Sequence, residues 1–119
     1  MARILLAEDD ESMRRFLANA LERAGHDVVS YGCGHRAHET LMGDAFDVLL
    51  TDIVMPEMDG IELARRAAEL DPTLRIMFIT GFAAVALNPE SEAPPDARVL
   101  SKPFHLRELV AEVDRLLAA

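Results

Sequence analysis

Carboxylates follow two apolar segments that have the composition of buried strands. The segment "ILLAEDD" ends in Glu8, Asp9 and Asp10, and the segment "DVLLTD" ends in Asp52. Carboxylates held close together repel one another and raise each other's pKa unless a cation joins them. A hard divalent ion with oxygen ligands suits such a set, and Mg²⁺ keeps several water ligands of its own. If the fold brings the two ends together, these residues predict a magnesium site.

A hydroxyl and an ammonium group follow two later apolar segments. Thr80 ends "RIMFIT", and Lys102 follows "ARVLS" as the one lysine among twelve basic residues. Together with the acids and a metal ion, this set can cradle a phosphoryl group. Asp52 would be the nucleophile, because aspartate carboxylates form acyl phosphates. Thr80 would donate a hydrogen bond, and Lys102 would offset the charge of the phosphoryl oxygens.

Five strand-like runs alternate with five helical patterns. The predicted strands span residues 3–7, 27–31, 46–52, 75–80 and 97–101. The predicted helices span residues 11–24, 34–42, 60–70, 82–87 and 106–117. Strand centres that are almost entirely apolar are typical of a parallel sheet covered on both faces. The pattern predicts an α/β fold with a five-stranded parallel, doubly wound sheet in the order 2-1-3-4-5. That order places the ends of strands one and three side by side, at the crevice where ligands bind.

The helical patterns differ in how clearly they predict a regular helix. The first has one apolar face, formed by Met13, Phe16, Leu17, Ala20, Leu21 and Ala24. Arg14 and Arg15 lie on its polar side and are expected to be solvated, with a partner contact as the minority alternative. Asp59 has the position of an N-cap for the third helix. The fourth helix is expected to be short or irregular, because three prolines follow it and proline inside a helix costs about 3 kcal/mol.

The length, charge and residue content of the chain argue against several classes of function. A chain of 119 residues with a net charge of −9 fits one domain, residues 1–119, and argues against a nucleic-acid surface. No apolar run approaches the roughly 20 residues that span a bilayer. The single Cys33 allows no internal disulfide, which favours a cytoplasmic protein. The histidines share no metal-ligand spacing and are expected at the surface: they are His26, His35, His38 and His105.

Each candidate residue also has a simpler interpretation. Asp10 alone would be a helix cap, Asp52 a loop cap, Thr80 a structural hydroxyl and Lys102 a solvated charge. Their common position at the ends of strands favours the functional interpretation. A Mg²⁺-dependent phosphatase for small esters remains an alternative. A flavodoxin-like cofactor binder is a further one, although the acids would repel a flavin phosphate.

The motifs "ILLAEDD", "LLTDIVMPEMDG", "IMFITG" and "LSKPF" occur in this order. In these the sequence resembles the receiver domains of two-component response regulators, over essentially its whole length. The resemblance implies that Asp52 accepts a phosphoryl group from a histidine kinase or a histidine phosphotransferase. It also implies that Thr80 and Lys102 contact the phosphoryl oxygens and that the peptide before Pro103 is cis. The protein would be a phosphoacceptor and not an enzyme, with at most self-phosphorylation from small donors and slow self-dephosphorylation.

The same resemblance implies a ligand set for Mg²⁺. Asp9, Asp52 and the backbone carbonyl of Val54 would bind the ion. Glu8 and Asp10 would contribute through water. Val54 and Phe82 flank the site without offering a polar group to orient a hydrolytic water, which suggests a long-lived phosphoryl group.

The stretches "TDIVMPEMDGIELARRA" and "IMFITGFAAVALNPES" resemble a single-domain subgroup of this family. That likeness implies control of the ClpXP protease. The unphosphorylated form would be an adaptor that primes ClpX for its substrates, and phosphorylation would switch this off. With no output domain expected, the alternative is a receiver that signals to another protein partner.

Two departures from the family pattern affect the expected switch. Receivers often have Tyr or Phe three residues before the lysine, where this sequence has Val99. The usual coupling of that aromatic residue to Thr80 is therefore in doubt. Helix four is interrupted by proline, so the surface around residues 81–96 is the candidate partner surface, with an ordinary exposed loop as the alternative.

Overall fold

Strands and helices alternate along the chain, and the computed structural model describes all 119 residues. The strands are β1 (Arg3–Ala7), β2 (Asp27–Tyr31), β3 (Val48–Thr51), β4 (Arg75–Thr80) and β5 (Arg98–Ser101). The helices are α1 (Glu11–Arg23), α2 (Gly34–Gly43), α3 (Gly60–Leu70), α4 (Ala83–Leu87) and α5 (Leu106–Ala118). No helix has both the length and the apolar character that a membrane span requires.

All five strands are parallel and form one sheet in the order β2-β1-β3-β4-β5, which confirms the predicted topology. In the register of β1 and β3, Ala7 lies opposite Thr51. In the register of β4 and β5, Thr80 lies opposite Ser101. The residues that follow these four positions therefore emerge along one edge of the sheet.

Two apolar clusters cover the two faces of the sheet. One contains 14 buried residues and includes Ala37 of α2 and Leu63 of α3. The other contains 13 buried residues and includes Leu17 of α1 and Leu109 of α5. Full burial of a leucine side chain stabilises the fold by about 1.5–3 kcal/mol. Burial on both faces explains why the strand centres are apolar throughout.

Helix starts next to the sheet edge are fixed by side-chain caps. The Asp10 carboxylate accepts a hydrogen bond from the Met13 amide and begins α1. The Asp59 carboxylate accepts one from the Glu62 amide and begins α3, as predicted. Such caps are each worth about 1 kcal/mol.

The fourth helix is short, as predicted. It has five residues, none of them buried, and ends where the proline-containing segment begins. Its side chains Val85 and Leu87 are exposed. The backbone between Asn88 and Ala97 is irregular.

Phe16 and His26 differ from the exposure that the sequence predicts. Phe16 is 53% exposed, because it lies at the edge of the buried stripe, in a groove between α1 and α5. His26 is buried, and its Nδ1 accepts a hydrogen bond from the backbone N–H of Ala2 at 3.1 Å. That bond satisfies Nδ1, and the other ring nitrogen, Nε2, lies 4.0 Å from Oδ1 of Asp114.

Candidate functional site

The paired ends of β1 and β3 bring the two groups of acids together. The Asp52 amide donates a hydrogen bond to the Ala7 carbonyl at 3.0 Å. The Glu8 amide donates one to the Tyr31 carbonyl, at the end of β2, at 3.1 Å. Glu8 and Asp52 therefore leave neighbouring strands at the same level.

Three carboxylates form the site. Glu8, Asp9 and Asp52 each place one carboxylate oxygen within 4.8 Å of those of the other two. Glu8 is almost completely buried, Asp52 is half-buried and Asp9 is exposed. The three carboxylates offer only oxygen ligands, and the exposed position of Asp9 leaves room for water. Both features fit a hard divalent cation, which retains water ligands.

The ammonium of Lys102 joins two of these acids. Its Nζ lies 2.9 Å from Oε1 of Glu8 and 2.9 Å from Oδ2 of Asp52. Burial lowers the pKa of the Lys102 ammonium, but the hydrogen bonds and charges of Glu8 and Asp52 outweigh burial and raise this pKa above its usual value. Lys102 is therefore charged at neutral pH and neutralises part of the acidic cluster.

Glu8 is the least solvated member of the cluster. Burial raises the pKa of its carboxyl group, and the negative charge of Asp52 acts in the same direction. The hydrogen bonds from Lys102 and from the Asp10 amide oppose this shift without cancelling it. A bound cation would relieve the cost of ionising Glu8 in this environment.

Thr80 and Lys102 are connected through the ends of β4 and β5. The Lys102 amide donates a hydrogen bond to the Thr80 carbonyl at 2.8 Å. The Thr80 hydroxyl oxygen accepts one from the Phe82 amide at 2.9 Å, and the Thr80 side chain is buried. The Lys102–Pro103 peptide is cis, as the family resemblance implies.

Two predicted metal contributors lie outside the group of three carboxylates. The Asp10 carboxylate is engaged as the cap of α1. Val54 lies two residues after Asp52 in the loop that follows β3, and its side chain is exposed. The structure thus brings together Glu8, Asp9, Asp52 and Lys102, with Asp10 and Val54 in adjoining loops.

The family model described as "Response regulator receiver domain" matches residues 4–114. This chain belongs to the response regulator receiver domain family. Each receiver motif identified in the sequence runs along a strand to the carboxyl edge of the sheet and into the loop that leaves it. The family assignment and the fold therefore agree with the resemblance seen in the sequence.

Known proteins match this receiver domain over nearly its whole length. It is 68% identical to "Response regulator receiver protein CpdR" of Brucella abortus, covering 100% of this chain and 99% of the relative. It resembles the chemotaxis protein CheY4 of Vibrio cholerae, with a TM-score of 0.89, 27% identity and coverage of 98% and 99% of the two chains. It also resembles the response regulator TrrA of Thermotoga maritima in complex with Mg²⁺-BeF, with a TM-score of 0.87, 25% identity and coverage of 98% and 100%.

One residue that supports the receiver site was identified in the sequence only as the start of a helix. The Gly60 amide donates a hydrogen bond to the Ile53 carbonyl at 2.8 Å. A Cβ at Gly60 would lie 1.8 Å from the carbonyl oxygen of Asp52. The loop after β3 can therefore fold back against Asp52 only because position 60 has no side chain. The "DG" pair carried this signal, since glycine is common where backbones approach closely.

A second supporting residue contradicts the expectation of a solvated helix face. Arg14 is half-buried, and its Nη1 donates a hydrogen bond to the Glu8 carbonyl at 2.8 Å. Arg15 remains exposed and pairs only with Glu11, at 2.8 Å. The helical period carries a signal for this difference: Arg14 lies three residues before the buried Leu17 and seven before the buried Leu21, whereas Arg15 lies on the opposite side of the helix.

Proposed function

We propose that this receiver domain is a phosphorylation switch in which Asp52 accepts the phosphoryl group. The donor is the phosphohistidine of a histidine kinase or a histidine phosphotransferase. A carboxylate oxygen of Asp52 forms the new P–O bond while the P–N bond breaks, and the imidazole nitrogen keeps the electron pair. The chain is a phosphoacceptor and not a turnover enzyme.

The contact between Lys102 and Asp52 is the observation that carries this proposal. A single ammonium 2.9 Å from the acceptor carboxylate is already in place to meet the charge of an arriving phosphoryl group. Thr80, whose backbone is tied to Lys102, supplies the hydroxyl donor on the same edge. Phosphorylation at Asp52 would recruit both groups and shift the loops that carry them.

We further propose that Mg²⁺ is held by Asp9, Asp52 and the carbonyl of Val54, with Glu8 and Asp10 contributing through water. The ion would offset the negative charge of the phosphoryl oxygens. The oxygen-only donor set of the carboxylate cluster supports this assignment. Lys102, which lies 2.9 Å from Oδ2 of Asp52, would balance part of the remaining charge.

Stoichiometric labelling tests the acceptor. The native protein is incubated with acetyl phosphate and Mg²⁺, and the intact mass is measured. We expect one added phosphoryl group, lost in Asp52→Ala and retained in Asp59→Asn, which changes an acid in the same loop but keeps the cap of α3. Continuous release of phosphate from small esters would instead identify a phosphatase.

The partner proposed for the unphosphorylated form is ClpX, which this domain would prime for substrates as a ClpXP adaptor. The 68% identity to CpdR supports this proposal, together with the resemblance of residues 51–67 and 76–91 to that subgroup. A pull-down with ClpX would compare native protein with and without acetyl phosphate, and Asp52→Ala as a form that stays unphosphorylated. We expect binding by both unphosphorylated forms and release on phosphorylation. Failure of every form to bind would remove the adaptor role and leave the receiver role intact.

The surface around residues 81–96 is the proposed contact with a partner. The exposed apolar side chains Phe82, Val85 and Leu87 lie there, next to the loop after β3. Apolar side chains exposed together in one patch are typical of protein–protein contact sites, whereas single exposed ones are common on any monomer. Val85→Ser and Leu87→Ser should weaken partner binding without changing the phosphorylation of Asp52, whereas Met42→Ser, an exposed apolar site on α2, should leave both unchanged.

A further inference from the structure

Arg14 connects α1 to the loop that carries the acids. Its Nη1 donates a hydrogen bond to the carbonyl oxygen of Glu8 at 2.8 Å. Gly32, which follows β2, leaves the space for this guanidinium, since a Cβ there would lie 2.9 Å from Nη1. The arginine is thus enclosed between the end of β1, the end of β2 and its own helix.

The carbonyl held by Arg14 belongs to the peptide that joins Glu8 to Asp9. The preceding amide, that of Glu8, is bound to the Tyr31 carbonyl at 3.1 Å. The following residue, Asp10, is fixed as the cap of α1. Between these two anchors, the contact with Arg14 sets the orientation of the Glu8–Asp9 peptide plane.

We propose that Arg14 is a positioning residue for the metal site. By holding this peptide, it directs the exposed Asp9 carboxylate toward those of Glu8 and Asp52, with which Asp9 forms the group of three. The inference rests on the proposed binding of Mg²⁺ at that group. Groups that orient metal ligands from behind typically change metal affinity by about 10- to 100-fold when they are removed.

The direction in which the Mg²⁺ affinity changes in Arg14→Ala distinguishes positioning by Arg14 from the effect of its charge. Arg14 is a cation beside an acidic cluster, so its charge alone opposes the binding of Mg²⁺. If charge were its only influence, Arg14→Ala would bind Mg²⁺ more tightly than native protein. Positioning predicts the reverse, a weaker affinity after the same substitution.

Calorimetric titration with MgCl₂ in the absence of a phosphoryl donor measures this directly. We expect Arg14→Ala to raise the Kd for Mg²⁺ on the order of 10-fold. Arg14→Lys, which keeps a donor and the charge, should recover part of the loss. Arg15→Ala is the matched control, because the neighbouring Arg15 side chain is 76% exposed and does not contact the acids; its Kd should equal the native value.

Gly32→Ala provides a test that leaves the arginine in the chain. The new Cβ would lie 2.9 Å from Nη1, so the guanidinium must shift from its present position and its bond to the Glu8 carbonyl is weakened without loss of its charge. The Kd for Mg²⁺ should therefore rise again, by less than in Arg14→Ala. In a ¹H–¹⁵N spectrum of the metal-free protein, Arg14→Ala and Gly32→Ala should shift the Asp9 and Asp10 amides, and Arg15→Ala should not.

Native or tighter affinity in Arg14→Ala, or an equal loss in Arg15→Ala, would overturn the inference. If Arg14→Ala does not fold, unchanged affinity in Gly32→Ala would overturn it instead. These results would leave the proposed function standing. An absence of Mg²⁺ binding by the native protein would remove the proposed metal site, and the role of Arg14 with it.

Discussion

The Lys102 ammonium lies 2.9 Å from the Asp52 carboxylate and equally close to that of Glu8. The molecule therefore holds its one lysine between two acids that approach from neighbouring strands. A charge-assisted hydrogen bond of this kind is worth about 1.5–3 kcal/mol. Lys102 is thus placed to stabilise acid charge before phosphorylation and phosphoryl charge after it.

Removal of the Lys102 ammonium should slow the phosphorylation of Asp52 without weakening the binding of Mg²⁺. In Lys102→Met, the rate of phosphorylation by acetyl phosphate should fall about 10- to 100-fold, the rate equivalent of one charge-assisted hydrogen bond. The affinity for Mg²⁺ should not fall, because a cation that competes for the same carboxylates has been removed. Mass spectrometry and calorimetry measure the two quantities. Parallel losses in both would show that Lys102 is needed to form the site and not to meet the phosphoryl group.

Gly60→Ala should disrupt the backbone of the acceptor residue. The added Cβ would lie 1.8 Å from the Asp52 carbonyl oxygen, so the loop after β3 must move. Overpacking of this kind costs about 1–3 kcal/mol. We expect a lower free energy of unfolding in urea and reduced labelling of Asp52.

Gly43→Ala is the matched control for that substitution. Gly43 lies in the last turn of α2, and a Cβ there would have no neighbour within 4 Å. Alanine at this position should be neutral or stabilising by up to about 1 kcal/mol, with native labelling. Equal destabilisation by Gly43→Ala and Gly60→Ala would contradict the importance of the contact between Gly60 and Asp52.

Burial of Glu8 should make the metal-free fold less stable as the pH rises. The pKa of Glu8 in the folded protein is raised above its ordinary value of 4.5, so the folded state binds this proton more tightly than the unfolded chain. The favourable contribution is therefore present at low pH and is lost as the pH rises from about 4.5 through the folded-state pKa. Urea denaturation in EDTA should show native protein losing stability relative to Glu8→Gln over this range. If native protein instead gained stability relative to Glu8→Gln as the pH rises, the pairing of Glu8 with Lys102 would outweigh its burial.

The strands could be predicted closely where acidic or turn residues bound the apolar run. The first strand matches its prediction at Arg3–Ala7, where acids end the apolar run. The third is shorter than the predicted residues 46–52, since only Val48–Thr51 is assigned to the strand. Phe46 is buried, but it packs beneath the Arg3 guanidinium at 4.6 Å and not within the strand. An apolar residue next to a strand is not distinguishable in sequence from one inside it.

The site residues could be predicted where the order of the strands alone decides which of these residues lie close together. The acids of Glu8 and Asp52 follow paired strands, and Lys102 follows the strand next to Thr80. Helix periodicity places Arg14 at the border of the buried stripe of α1 and Arg15 on the opposite side, but it does not show that the Glu8 carbonyl faces Arg14. Gly32, eighteen residues from Arg14 along the chain, leaves the space for the Arg14 guanidinium and becomes its neighbour only in the fold.

The side chains beside the acceptor should make the phosphoryl group long-lived. Val54 and Phe82 lie two residues after Asp52 and Thr80, in the loops that border the site, and both are more than half exposed. Neither side chain can orient a water molecule for attack on phosphorus. After the donor is removed, we expect native protein to lose its phosphoryl group over minutes or longer, as followed by intact mass. Val54→Asn adds an amide at this border and should shorten the half-life, whereas Val85→Asn, on the exposed surface of α4, should not. A native half-life of seconds without a phosphatase would show that water is oriented by other groups, and the opening to Asp52 would then not control the lifetime of the signal.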